Sequence, residues 1–488
     1  MKNRKPRNIL KHRAIENLQL LSKIELKTFS KWLNSNWSNS IGNLATLFNI
    51  LKPHHPQFTH PKLTKKHLYK RLYPEKDYQD KDYLNLMSKL SLAVEDFLIH
   101  SHIENNKSLK EKIRLSVINE RRSSDSRKEK MLNHHLKTLN KKTVKHTSDY
   151  LQLLNLHGLH FKLSRPGESL ATKKDDLIAI DKNLDHFYAL SKARNLVENY
   201  ELKRLLGEDT MDGSHENQIF QLDTKVPAIR FYRSYLKEGS KIDMDNFAFL
   251  QSVFLTCVDE MDEVDQHNIY LILINQSARI KSAGDINILK ETHLLNKFAF
   301  KRGIILDNDR ITAKSFSNLI TTACFMQDFA FAQLFLNHYL VNLPFKTQQD
   351  ALQWGSLMIA YKKGSGDVVK LANKLNDHNR AYTTFSLRIR VLITQVLFDA
   401  YHRDENNMDD KFTFYIEAFE KKLDREGQYP AKQLEGLKAF NKYTKRLASF
   451  FRNKRFQATE LESIRFQINQ EPIIHGKSWL IEKIEQME

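Results

Sequence analysis

Histidines are concentrated in the first third of the chain, where they supply the side chains best suited to metal binding. Twelve of the 20 histidines lie before residue 161. Two groups stand out: His54, His55, His60 and His67 in "PHHPQFTHPKLTKKH", and His157 and His160 in "LHGLH". Zinc sites made of histidine alone are unusual, and the three prolines of the first group predict a loop. The second group has helical spacing but no evident third ligand, so we expect no metal site.

Carboxylates cluster in two further places. "DEMDEVDQH", from Asp259 to His267, contains five acids and a histidine. A metal site is possible there, but we favour a solvated turn whose acids lie near the positive end of the next helix. Docking against the basic first third is another possibility. In the second place, Asp212 and Gly213 could be positions five and six of a calcium loop, but Ile219 would then occupy position twelve, which needs a bidentate glutamate.

Sequence motifs typical of catalysis are absent. The chain has no phosphate-binding loop, dinucleotide fingerprint, nucleophile elbow or zinc-protease motif. The glycines of "KKGSGD", Lys362–Asp367, lack the phosphate-loop spacing and predict a turn. Cys257 and Cys324 lie far apart in apolar runs, which indicates reduced core thiols. We therefore expect a protein that is not an enzyme and has neither catalytic residues nor a cofactor. An enzyme whose active site has no recognisable motif is the third hypothesis.

Positive charge is unevenly distributed along the 488 residues. The formal net charge is +19, and residues 1–150 contain 31 Lys and Arg against 14 Asp and Glu. The remainder has 46 basic and 44 acidic residues. A basic module joined to a near-neutral one follows from this asymmetry.

Basic side chains in the first third are candidates for contact with a polyanion, because clustered positive charge attracts phosphate backbones. No named nucleic-acid motif accompanies them, and plain solvated surface is the competing interpretation. The candidates are Lys62, Lys65, Lys66, Lys70, Arg71, Arg121, Arg122, Arg127, Lys128, Lys130, Lys137, Lys141, Lys142 and Lys145.

The elements that carry these side chains are predicted to be helices. Only 14 glycines and 10 prolines interrupt the chain, and helical periodicity is visible almost throughout. Leu132, Leu136 and Leu139 place the basic residues on one side of a helix, and Ser148 or Asp149 is predicted to cap the next one. We predict an all-α fold of antiparallel helix pairs in three regions, residues 1–165, 166–305 and 306–488.

The last region contains a repeat. "SFSNLITTACFMQDFAFAQLFLNHYLVNLP" predicts a helix, a turn at Gln327–Asp328, a second helix and a terminating proline. Two more helix pairs follow, and the first-helix positions Ile320, Gly355 and Ile389 are spaced 35 and 34 residues apart. These spacings are close to a period of about 34 residues.

Over residues 313–425 this pattern resembles the tetratricopeptide repeat. The first pair matches its motif at Phe316, Leu319, Ala332, Leu336 and Pro344, whereas Ile320 and Ala323 depart from its glycine and tyrosine. Ala351, Trp354, Gly355 and Met358 match the first-helix spacing in the second pair, and Phe385, Ile389, Leu392 and Val396 lie on one face in the third. The resemblance implies an α-solenoid that binds a partner. Unrelated helical hairpins are the alternative.

A second resemblance covers more of the chain. The segments "LTKKHLYKRLYPEKDYQDKDYLNLMSKLSLAVEDFL" and "GKSWLIEK" are similar to landmarks of a family of large, uncharacterised helical proteins of Bacteroidetes-type bacteria. This resemblance implies a cytoplasmic, all-helical, repeat-like protein and brings no catalytic residues.

Location and function follow as expectations. The longest apolar run, "IYLILI", is too short to span a bilayer, and the basic start lacks the apolar core of a signal peptide. We expect a cytoplasmic, non-enzymatic scaffold that binds a protein or peptide. A nucleic-acid- or ribosome-associated protein acting through residues 1–150 is the alternative. The candidate partner-binding residues are Lys314, Asn318, Gln353, Arg388 and Arg390.

Overall fold

A computed structural model describes residues 12–34, 42–120, 125–163, 170–206, 226–238, 241–282, 285–364, 367–376, 384–403, 409–425, 431–452 and 458–487. Every regular element in these ranges is helical, apart from an isolated bridge between Asp307 and Arg310. The predicted all-α fold is therefore confirmed. In the same ranges, no helix has the length and apolar character needed to cross a membrane.

The chain divides into two compact units. The N-terminal unit comprises Met1–Lys141 and Asn155–Ile180, and the C-terminal unit comprises Lys142–Leu154 and Asp181–Glu488. The three-region division stays a prediction, and its boundary near residue 305 lies inside the C-terminal unit.

Seven described α-helices belong wholly to the N-terminal unit, and two more contribute to both units. The seven are α1 (Arg13–Gln19), α2 (Lys23–Leu33), α3 (Gly42–Leu51), α4 (Lys65–Leu72), α5 (Asp80–Asn105), α6 (Lys107–Glu120) and α7 (Asp125–Asn140). The other two are α8 (Thr147–Lys162) and α9 (Leu170–Leu206).

Aromatic side chains build the core of the N-terminal unit. The Phe29 ring of α2 lies 4.9 Å from the Phe48 ring of α3 and 5.2 Å from the Phe97 ring of α5. Leu68 and Leu72 of α4 are buried in the same core, which fixes the basic side chains of α4 on its outer side.

Thirteen described α-helices belong wholly to the C-terminal unit. They are α10 (Pro227–Glu238), α11 (Met244–Cys257), α12 (Glu263–Ser282), α13 (Ile288–Arg302), α14 (Ala313–Phe325), α15 (Phe329–Tyr339), α16 (Phe345–Lys363), α17 (Val368–Asn376), α18 (Thr384–His402), α19 (Asp409–Arg425), α20 (Ala431–Arg452), α21 (Ala458–Gln470) and α22 (Lys477–Met487).

Packing in the C-terminal unit joins each of the helices α10 to α19 to the next one along the chain. Contacts also skip one helix: α14 packs on α16, α16 on α18, and α18 on α20. Gly355 permits one of these close approaches, because a Cβ atom there would lie 2.8 Å from Cδ1 of Leu336. A large hydrophobic core runs through the described helices of this unit, and a smaller separate cluster contains Leu387, Phe419, Leu423 and Leu437.

The first predicted hairpin is present. Helices α14 and α15 flank a turn in which Gln327 has a φ of 57°, and Asp328 caps α15 by accepting from the backbone N–H of Phe331. Cys257 and Cys324 are buried free thiols, as expected, and burial raises the pKa of Cys324 to about 12.

The predicted cap of α8 is wrong. The helix begins at Thr147, so Ser148 and Asp149 lie inside its first turn. Asp149 still holds the helix start, because its carboxylate accepts from the backbone N–H of His146 at 3.0 Å. A carboxylate in the first turn is stabilised by the free N–H groups of the helix end.

Candidate functional site

The basic residues around α4 form an exposed group. Lys62, Lys66, Lys70 and Arg71 are exposed, and none of them has an ion pair with another described residue. Lys65 differs, because its Nζ atom lies 2.8 Å from Asp80 Oδ1. Four of the five predicted polyanion-binding residues here are therefore available to a ligand.

The basic residues of α7 are also largely at the surface. Arg127, Lys130 and Lys137 are exposed, as is Lys141 directly after the helix, and Lys128 is half-buried. Arg121 and Arg122 lie outside the described residues.

The next two candidates along the chain, Lys142 and Lys145, form polar contacts within the protein. Lys142 Nζ lies 2.9 Å from Oδ1 of the buried Asp149, and Lys145 Nζ donates to the carbonyl of Lys142 at 3.0 Å. Both contacts belong to the C-terminal unit and stabilise the start of α8. Lys142 and Lys145 are thus already engaged within the fold.

The histidine pair of α8 has a partner that the sequence did not reveal. Asp176 of α9 contacts His157 Nδ1 at 2.9 Å and His160 Nδ1 at 2.5 Å. The carboxylate and the His160 ring are buried, so this bridge ties the end of α8 to α9 within the N-terminal unit. No group of three ligands suited to a metal occurs among the described residues.

The carboxylates of Asp259–His267 divide into an exposed and a buried set. Asp259, Glu260 and Glu263 are exposed, whereas Asp262 and Asp265 are buried. The expectation of a solvated turn is wrong for the two buried acids. The helix after the turn explains the burial of Asp262, because this residue caps α12 by accepting a hydrogen bond from the backbone N–H of Asp265 at 2.7 Å.

Arg194 of α9 neutralises both buried acids. Its Nε lies 2.7 Å from Asp265 Oδ1, its Nη2 lies 3.1 Å from Asp262 Oδ2, and its Nη1 donates to Thr147 Oγ1 at 2.7 Å. Tyr232 of α10 donates its hydroxyl to Asp265 at 2.7 Å. The guanidinium therefore connects α8, α9 and α12. Sequence patterns could not identify it, because its partners lie 47 to 71 residues away.

Electrostatics in this cluster follow from burial and pairing. Burial raises the pKa of Asp265, and the hydrogen bond from Arg194 opposes that rise. Burial alone would lower the pKa of Arg194, but the hydrogen bond and charge of Asp265 raise it above the usual value. The stable state is thus a charged Arg194 held between carboxylates.

The cavities beside this cluster are small. One of 190 Å³ is lined by Lys145, Tyr150 and His186, and another of 280 Å³ is lined by Arg194, Val197 and Tyr232. Sites for small ligands usually enclose about 300 to 1,000 Å³. The Arg194 cluster is best explained as a connection between helices.

The predicted partner-binding residues occupy α14, α16 and α18. Lys314 and Asn318 are exposed one turn apart on α14, and Gln353 is half-buried on α16. Because α14 packs on α16, these three side chains belong to neighbouring helices of one unit.

Arg388 and Arg390 of α18 do not share a face. Residues that are two positions apart on an α-helix are separated by roughly 200° around its axis. Both arginines are half-buried, and the Nε atom of Arg390 is buried without a hydrogen-bond partner among the described residues. Their assignment to the partner-binding surface stays a prediction.

Comparisons with protein-family models, with curated proteins and with solved structures found no match. The resemblances to the tetratricopeptide repeat and to the Bacteroidetes-type family stay predictions. Function is therefore argued from the geometry of the two units.

Proposed function

We propose that residues 306–488 form an α-solenoid of antiparallel helix pairs that binds a protein or peptide partner. The observation that carries this proposal is the packing of alternate helices, α14 on α16, α16 on α18 and α18 on α20. In a solenoid the first helices of successive pairs stack in this way and together form an extended surface.

Residue-level packing supports the same arrangement. Gly355 of α16 lies against Leu336 of α15, and a Cβ atom there would also approach Ile320 Cδ1 of α14 at 3.4 Å. A small residue at this position lets three helices meet closely. The resemblance to the tetratricopeptide repeat points to the same role for Gly355.

The binding surface of this proposal contains Lys314, Asn318 and Gln353. Their side chains are polar and at least partly exposed on adjacent first helices. Exposed polar groups on a rigid helical surface suit a partner that makes hydrogen bonds as well as apolar contacts. No catalytic role is needed for such a protein.

A peptide-display selection against the intact protein tests the proposal. Bound peptides are expected to protect α14, α16 and α18 from hydrogen exchange. Changing Lys314, Asn318 and Gln353 to alanine should weaken binding by about tenfold or more, since the lost contacts are worth about 1.4 kcal/mol together.

A matched control removes the same residue types elsewhere in the unit. Lys290 of α13 and Gln333 and Asn337 of α15 are exposed. Their change to alanine should leave binding within about twofold, because typical surface substitutions have effects below about 0.5 kcal/mol. Equal losses in both variants, or protection confined to other helices, would refute the proposal.

Nucleic-acid binding by the N-terminal unit is the second candidate function. The observation that favours it is the exposed group Lys62, Lys66, Lys70 and Arg71, which has no ion pairs with described residues. A steep fall of affinity with salt would distinguish phosphate contacts from apolar partner binding.

A further inference from the structure

The cavity of 190 Å³ beside the Arg194 cluster is lined by four helices, and all of its lining residues belong to the C-terminal unit. Tyr150 lies on α8, His186 on α9, Ala228 on α10 and Asp265 on α12. Drug-sized ligands need a larger site. Because a cavity of about 150 Å³ holds benzene, a ligand of about six non-hydrogen atoms fits here.

Three polar side chains of this cavity keep atoms without a hydrogen-bond partner. Asp265 is 2% exposed, and its side-chain hydrogen bonds from Arg194 and Tyr232 both go to Oδ1. Its Oδ2 accepts from no described residue, and the Tyr150 hydroxyl and the His186 ring also lack hydrogen bonds to such residues. Because buried polar groups are normally paired, these atoms are where a ligand would be held.

The charge beside the cavity favours a cation. Asp262 and Asp265 are both buried, and Arg194 supplies one positive charge to the two carboxylates. The half-exposed His146 approaches Asp262, at 3.3 Å from its Oδ2, and leaves Asp265 Oδ2 free. Burial raises the pKa of Asp265 even though Arg194 pairs with it, so its negative charge is only partly compensated. A cation bound at Oδ2 would complete the compensation.

A primary ammonium group matches the three free atoms. It has three N–H donors and no acceptor. Asp265 Oδ2, Tyr150 Oη and one ring nitrogen of His186 can each accept one of these donors. Burial lowers the pKa of His186, so its ring is neutral at pH 7 and one of its nitrogens remains an acceptor.

Apolar side chains form most of the remaining lining. The buried ones are Leu190, Val226, Ala228 and Met261. Lys145 and Glu260, the other charged side chains of the lining, have opposite signs and leave the preference for a cation unchanged. The apolar walls suit a short alkyl chain attached to the ammonium group.

We propose that this cavity binds a primary ammonium group on a short alkyl chain. The ammonium donates to Asp265 Oδ2, Tyr150 Oη and His186, and the chain lies against the apolar walls. Its source is a free small amine or the lysine side chain of another protein. The inference is independent of partner binding by residues 306–488, because the cavity lies outside those residues.

Ligand-observed NMR titration of the intact protein with n-butylammonium at pH 7 tests the inference. The uncharged probe is 1-butanol, and butyrate is the anionic one. n-Butylammonium should bind at least about tenfold more tightly than 1-butanol, because its hydrogen bonds are charge-assisted, and butyrate should not displace it. Nα-acetyllysine methylamide carries the same ammonium on the same chain. Its binding would identify a lysine side chain as the source, and its exclusion would identify a free amine.

Two variants and a matched control locate the binding. Tyr150→Phe should weaken n-butylammonium binding by about threefold or more. It should leave the melting temperature unchanged, because this hydroxyl has no partner among the described residues. His186→Phe should weaken binding by a similar factor, since it keeps a ring without an acceptor nitrogen. The control is Tyr188→Phe at an exposed site of α9, which should bind as wild type does.

Several outcomes would overturn the inference. It fails if n-butylammonium does not bind, if 1-butanol binds equally well, or if butyrate displaces n-butylammonium. It also fails if Tyr150→Phe and His186→Phe bind as wild type, or if Tyr188→Phe loses as much binding as they do. Peptides selected through Lys314, Asn318 and Gln353 would still support the proposed function in each of these cases.

Discussion

Asp328 shows how a single side chain can serve several elements. It caps α15, and its Oδ2 lies 2.8 Å from Lys297 Nζ and 3.0 Å from His293 Nε2. The hydrogen bond from Lys297, with the contacts of His293 and Phe331, lowers the pKa of Asp328 to about 2. The sequence predicted the turn at Gln327–Asp328, and the structure shows in addition that Asp328 caps the helix that follows it.

Asp328→Asn should make stability less dependent on pH. A depressed carboxyl pKa adds stability above the unfolded value of 3.8, and this contribution is lost as pH falls towards 2. With solvent screening included, we expect a loss of about 1 kcal/mol at pH 7 and only a small part of it at pH 2, where the folded carboxyl is half protonated. Urea unfolding followed by circular dichroism at both pH values measures this difference.

Asp328→Ala provides the control for the cap. Asparagine caps helices about as well as aspartate, whereas alanine loses about 1 kcal/mol more. The alanine variant should therefore remain less stable than the asparagine variant at both pH values. A loss for Asp328→Asn that is the same at pH 7 and pH 2 would contradict the ion-pair explanation.

Arg194→Met should strongly destabilise the start of α12. The change leaves Asp262 and Asp265 buried without their cation, and breaking a buried ion pair from one side costs about 3 to 5 kcal/mol. Faster hydrogen exchange in α12 measures the effect. Arg194→Lys should lose less, and Arg310→Met at an exposed site should change little. A stable Arg194→Met variant would show that the cluster does not hold these helices.

Sequence patterns could identify the acids of this cluster but not their environment. The run Asp259–His267 was visible, yet burial of Asp262 and Asp265 depends on Arg194 and Tyr232 from other helices. The same limit explains why Asp176 was not recognised as the partner of His157 and His160. Local spacing reveals a helix face, whereas pairing across helices depends on the tertiary fold.

At the scale of elements, apolar periodicity was a good guide. It predicted α14 and α15 with their turn, and the leucines that anchor α7 are buried at Leu132, Leu136 and Leu139. The cap of α8 was misplaced because Asp149 acts from inside the first turn, where its partners are His146 and Lys142. Helix ends depend on a few hydrogen bonds, so spacing alone leaves them uncertain by one turn.

Gly355→Ala tests the close packing of α16. An alanine Cβ would lie 2.8 Å from Leu336 Cδ1, and Leu336 is fully buried and constrained by its neighbours. Crowding of about 1 to 3 kcal/mol should exceed the gain of about 1 kcal/mol in helix propensity. We therefore expect a lower melting temperature by circular dichroism.

Gly158 of α8 offers the matched control. Beyond its chain neighbours and its own helix backbone, no atom of the described residues lies within 4 Å of its hypothetical Cβ, so Gly158→Ala should gain helix propensity without crowding. Combining Gly355→Ala with Leu336→Val should cost less than the two changes added together, because the smaller side chain makes room. Stabilisation by Gly355→Ala alone would show that α16 does not need a glycine there.

At the scale of the whole molecule, the distribution of charge was predictable and its use was not. The sequence alone shows that residues 1–150 contain 31 basic residues and only 14 acidic ones. The fold then separates its members, since Lys142 and Lys145 make contacts within the C-terminal unit while Lys66 and Lys70 stay exposed. A test of polyanion binding should therefore leave Lys142 unchanged, because its loss would also remove the partner of Asp149.

Binding of duplex DNA and RNA across a salt series tests the exposed basic group around α4. If Lys62, Lys66, Lys70 and Arg71 each contact one phosphate, changing all four to glutamine should reduce the slope of log affinity against log salt by about 3 to 4. Changing the exposed Lys290, Lys301, Lys346 and Lys370 of the C-terminal unit removes the same charge. That control should retain the wild-type slope, because the slope depends on the number of phosphates that the protein contacts, and the proposed contacts are unchanged. If the wild-type protein does not bind at 50 mM salt, or if the two variants have equal effects, the α4 group is ordinary solvated surface. Partner binding by residues 306–488 would then be the remaining proposal.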